Sequence, residues 1–177
     1  IALSLLNDCI KHNQKDSEAF ANRGMVNFKL QNLMEAENDY KESIEIDNNI
    51  NGMFNYANLL KDKKDYNNSI FYLKKVLTKD PNFYKAYNNM AMINTKMGEY
   101  ELGIKNFDKA LKIKNDYANA HFYKSLNQLL LGKYSEGWKN YEWRWKTSDF
   151  PSPQRDFIQP YWDGVTDVSD KIILIHG

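Results

Sequence analysis

Bulky and small side chains alternate along this chain with a long period. Set one above another, the segments beginning at Ser17, Ile50, Tyr84 and Ala118 agree position by position over about 34 residues. The fourth position holds the bulky Phe20, Met53, Tyr87 and His121, and the eighth holds the small Gly24, Ala57, Ala91 and Ser125. Large side chains set against small ones are what two closely crossing helices need. Bulky residues return at the seventeenth position (Leu33, Tyr66, Tyr100, Tyr134) and small ones at the twentieth (Ala36, Ser69, Gly103, Gly137). Tyr40, Leu73, Phe107 and Tyr141 then begin an i, i+3, i+4 stripe that continues through Ser43, Val76 and Ala110 to Ile44, Leu77 and Leu111. Such a stripe is the buried face of an amphipathic helix.

Each segment is therefore expected to form two antiparallel helices, the first near 18–30, 51–63, 85–97 and 119–131. Turn signals divide them: Lys63-Lys64-Asp65, Met97-Gly98-Glu99 and Leu131-Gly132-Lys133 within segments, and Asp80-Pro81 between two of them. The repeats run 17–49, 50–83, 84–117 and 118–146. Carried backwards, the register places Ala2, Leu6, Cys9 and Ile10 on the stripe of an earlier second helix within 1–16, with Cys9 expected as a small buried residue.

These residues resemble the tetratricopeptide repeat family. The resemblance implies an all-α, right-handed superhelical solenoid of antiparallel helix pairs, the first helices lining the concave side, that binds a protein or an extended peptide.

After residue 146 the helical period stops. Residues 147–170, with Pro151, Pro153 and Pro160, read as a linker, and 171–177 (KIILIHG) as the first strand of an α/β domain that continues beyond Gly177. The run GWKNYEWRW at 137–145 and PYWDG at 160–164, followed by that strand, resemble the tetratricopeptide region of bacterial glycosyltransferases laid out like the O-linked N-acetylglucosamine transferases. The resemblance implies a glycosyltransferase-like domain downstream in cis, with Trp138, Tyr141, Trp143, Trp145 and Trp162 as interdomain packing residues. It also implies that catalytic residues lie outside this sequence. A freestanding adaptor with no enzyme attached is the alternative.

Charge and chemistry narrow the picture further. Twenty-four Lys and Arg against 23 Asp and Glu give a net charge of +1 without a basic stripe, which argues against nucleic acid as a partner. No apolar run reaches the roughly 20 residues that span a bilayer. A single cysteine allows no internal disulfide and points to a reducing, cytoplasmic setting. The three histidines, His12, His121 and His176, stand far apart with no metal-ligand spacing, so no cofactor or metal is expected; His121 reads as packing, and His176 as a strand end that could touch a substrate.

What remains is the groove. The sixth position of successive first helices holds Asn22, Asn55 and Asn89, and then Tyr123. This resembles the asparagine ladder with which the O-linked N-acetylglucosamine transferase arrays grip a peptide backbone. A carboxamide both donates and accepts, so it can pair with the peptide group of any residue. Phe54, Asn58, Lys85, Asn88 and Phe122 are the neighbouring groove candidates.

Overall fold

A computed structural model of the chain describes residues 2–147 with Phe150, Asp167 and Ser169. Among these residues the chain is all helical: α1 (Ala2–His12), α2 (Ser17–Lys29), α3 (Leu33–Asp47), α4 (Ile50–Asp62), α5 (Tyr66–Lys79), α6 (Tyr84–Lys96), α7 (Tyr100–Ile113), α8 (Ala118–Leu130), α9 (Tyr134–Tyr141) and a 3-10 helix, Glu142–Lys146. Each first helix starts one residue earlier than the stripe suggested, because the cap precedes the apolar pattern. Asp16 accepts from the Ala19 amide at 2.9 Å and Asn49 from Gly52 at 2.9 Å, which satisfies donors that the first turn leaves unpaired. The linker 147–170 and the strand 171–177 lie, but for Thr147, Phe150, Asp167 and Ser169, outside the described residues.

All four turns between a first helix and its second carry a left-handed residue at the same register: Gln31 (φ 64°), Lys64 (φ 63°), Gly98 (φ 80°) and Gly132 (φ 72°). Glycine is at home there, whereas glutamine and lysine carry a Cβ that the conformation crowds.

The large-and-small pairing is realised at the helix crossings. Tyr40 is buried against Gly24, where an added Cβ would meet its ring at 2.6 Å. Met53, Ala57, Leu73, Val76, Ala86 and Ile93 form a core that bridges the second and third repeats, and Ala91, Phe107, Ala110 and Ala120 one that bridges the third and fourth. Burial is thus shared between neighbours, as a solenoid requires.

The stacking also sets the curvature. α2 packs on α4, α4 on α6 and α6 on α8, while the backbones of α3, α5, α7 and α9 stay apart, with Lys79 of α5 reaching the Asp47 carbonyl of α3 at 3.2 Å. An inner layer in mutual contact beneath an outer layer that splays apart curves the solenoid with its first helices on the concave side.

Cys9 departs from expectation: it is exposed. Its register partners are fully buried between helices: Ser43 lies against Gly52 of the following repeat, and Val76 and Ala110 sit in cores that join two repeats. Among the described residues α1 has only α2 beside it, so the side bearing Ala2 and Cys9 stays open to solvent.

Candidate functional site: the concave groove

The groove candidates separate into a bonded group and an unbonded one. Asn89 is buried and donates to Asn58 Oδ1, one repeat earlier, at 2.5 Å; its own Oδ1 accepts from Asn88 Nδ2 at 3.4 Å. Asn88 is 3% exposed, and its Oδ1 is buried without a donor among the described residues. Three carboxamides are therefore linked across the junction of α4 and α6, with the Asn58 amide group at one end. Asn22 and Asn55 are half-buried and form no hydrogen bond with a described residue.

The apolar candidates serve packing as much as the groove. Phe54 lies 4.9 Å from Phe83, ring to ring, and is half-buried. Lys85 is exposed. Phe122 is 8% exposed, with Tyr123 at 5.2 Å, Tyr141 at 5.7 Å and Phe150 at 5.9 Å between ring centroids. The groove is polar over α4 and α6 and aromatic at α8.

At the end of the array most of the aromatic motif turns inward. The Trp143 ring stacks on His121 at 4.1 Å and 10°, and the His121 ring nitrogens lie 3.1 Å from Asn140 Oδ1 and 2.9 Å from the Asn115 carbonyl oxygen. Trp145 meets Phe150 edge-on at 5.2 Å. The Arg144 guanidinium lies 4.6 Å from the Tyr141 ring and 4.3 Å from that of Trp145, a cation–π arrangement that ties the 3-10 helix down. Trp138 alone of these four is largely exposed, at 57%. Trp162, the 160–164 turn, His176 and Gly177 lie outside the described residues. Sequence reasoning missed Phe150 and Arg144, since neither belongs to the repeat register; an aromatic residue soon after GWKNYEWRW was the available signal for the first.

No group of His, Cys, Asp and Glu among the described residues is arranged to hold a metal ion, and no described helix is long and apolar enough to cross a membrane.

Stacked helix pairs, small residues at the crossings and a contiguous inner layer define a tetratricopeptide array, a scaffold for protein–protein contacts. The sequence matches the tetratricopeptide repeat family over residues 17–50, 50–83 and 84–117, and the chain belongs to that family. It is 29% identical over 110 residues to the protein FlbA of Caulobacter vibrioides, a match that covers 60% of this chain and 18% of that one. This chain therefore spans less than a fifth of that relative. Its fold is similar to the crystal structure of MamA, with a TM-score of 0.70, 15% identity and coverage of 80% of this chain and 83% of that one. It is also similar to YrrB, a tetratricopeptide protein described as having an unusual peptide-binding site, with a TM-score of 0.63, 12% identity and coverage of 80% and 73%.

Proposed function

We propose that the concave face holds an extended protein segment by its backbone. The observation that carries this reading is the carboxamide chain Asn58–Asn89–Asn88, flanked by the unbonded amides of Asn22 and Asn55. Asn89 is spent on Asn58, so its part is to aim the Asn58 amide; Asn22, Asn55 and Asn58 carry the contacts to the ligand. These groups read peptide units rather than side chains. The peptide-binding site named for YrrB supports the same use of the fold.

The test is calorimetric titration of the whole chain with an extended Ser-, Thr- and Pro-rich peptide. Replacing Asn22, Asn55 and Asn89 together with alanine removes two contacts and the support of a third. At roughly 0.5–1.5 kcal/mol per bond, affinity falls on the order of 10- to 1000-fold. Unchanged affinity with an intact helical spectrum rejects the reading.

Two settings for this scaffold follow. The GWKNYEWRW and PYWDG runs favour an acceptor-docking region in cis to a glycosyltransferase-like domain, in the cytoplasm. A freestanding adaptor is favoured by the inward packing of Tyr141, Trp143 and Trp145, which gives most of the first run a role inside the array. Whether the gene encodes a nucleotide-sugar domain next to residue 177 decides between them.

A further inference from the structure

The fourth repeat shows how the array accommodates an aromatic ring at its outer edge. There the fourth-position His121 stacks on Trp143, and the Lys146 ammonium lies 4.3 Å from the Trp143 ring centroid. The order is ring, ring, cation. The third repeat has Tyr87, Lys109 and Lys112 at the same spacing along the chain. It supplies the outer ring and the cations but has lysine where the fourth repeat has its indole.

An open cleft of about 600 Å³ lies there, with Tyr87, Lys109, Lys112, Pro81 and Ile113 among its walls. That volume is within the roughly 300–1,000 Å³ of clefts that take small ligands. The Lys109 ammonium is 5.5 Å from the Tyr87 ring centroid. Both lysines are exposed and neither forms an ion pair with a described residue; the adjacent acid, Asp108, is held by Lys124 at 2.6 Å. The first repeat has the opposite charge at this register, with Phe20, Glu42 and Glu45. The second repeat has Lys75 and Thr78 there and the fourth Trp143 and Lys146, so the third alone carries two lysines at this register.

We propose that this cleft docks a partner protein segment in which an aromatic side chain is flanked by carboxylates. The ring lies against Tyr87 as Trp143 lies against His121, and the carboxylates reach Lys109 and Lys112. Ring stacking and a paired charge are individually weak, and together they select an acidic aromatic motif over either feature alone. None of the groove asparagines lines the cleft, so the site acts beside the concave face rather than through it.

The experiment uses the isotope-labelled chain, amide NMR and the peptide Glu-Trp-Asp-Glu, with Gln-Trp-Asn-Gln and Glu-Ala-Asp-Glu as controls. The acidic tryptophan peptide shifts the amides of Tyr87, Lys109 and Lys112, and both controls bind more weakly. The Lys109→Glu, Lys112→Glu double variant weakens it by about five- to thirtyfold, as expected for two screened charge pairs. Its affinity for the extended Ser-, Thr- and Pro-rich peptide does not change. Equal affinity of the double variant for the acidic peptide overturns the proposal. So do shifts confined to Asn22, Asn55 and Asn58, which would assign the peptide to the concave groove and leave that reading standing. A dimer in sedimentation that the double variant dissolves would make the occupant a second copy of the chain, which also overturns it.

Discussion

Arg23 grips Asp39 across the crossing of α2 and α3, with Nη2 donating to Oδ1 at 2.6 Å and Nε lying 3.1 Å from both carboxylate oxygens. Asn27 Nδ2 adds a bond to Oδ2 at 2.9 Å. The Asp39 side chain is 6% exposed and that of Arg23 24%, so the carboxylate is the member that water cannot rescue. Replacing Asp39 with alanine leaves the Asn27 amide unpaired and the guanidinium with Asn7 alone, and should lower stability by about 2–4 kcal/mol. Arg23→Ala leaves the drier carboxylate with Asn27 alone and should cost more than that. Urea unfolding followed by helical dichroism measures both, and equal losses would show that the two groups are equally dry.

Acid should remove a second contribution. Lys41 and Lys63 both bond to Glu37 and hold its carboxyl down from 4.5 to about 2. A carboxyl depressed in the folded state stabilises fully above its unfolded value and loses that effect as pH falls towards its folded one. The two lysines keep 54% and 42% of their side-chain surface in solvent, so the gap between the native protein and Glu37→Gln should be only about 0.5–1 kcal/mol at pH 7. It should close between pH 4.5 and about 2. A gap constant over that window in denaturation series would mean that the lysines do not act through the charge.

Trp138 and Trp143 should behave differently although five residues separate them. Trp143 stacks on His121, so Trp143→Ala should destabilise by about 1.5–3 kcal/mol through lost packing. Trp138 is largely exposed, and Trp138→Ala should stay within about 0.5 kcal/mol. Thermal melts of both variants provide the comparison. Equal small effects would return the whole aromatic run to contacts outside the array.

The repeat was legible because packing imposes it: Gly24 must be small where Tyr40 closes on it, and the same constraint recurs in each unit. The edges were legible to within a residue, since Asp16 and Asn49 cap helices just ahead of the apolar stripe. The groove was less so. Asn58 and Asn89 come from different repeats, and no local pattern says which of several asparagines will bond to one another. Cys9 was misplaced for the same reason. Register gives the side of the helix a residue occupies, but a neighbouring helix decides whether that side is covered.

The sandwich of His121, Trp143 and Lys146, with Phe150 beside Phe122, has a consequence for how such an array can change in length. The 3-10 helix and Phe150 rest against α8, where the first helix of a further repeat would have to pack. A unit duplicated within the array keeps every junction it needs, because each junction repeats the last. A unit spliced in after α9 must first dislodge the stacked indole and the clasped Arg144. Growth of this solenoid is therefore directional, like a column with a fixed capital: units are inserted below it.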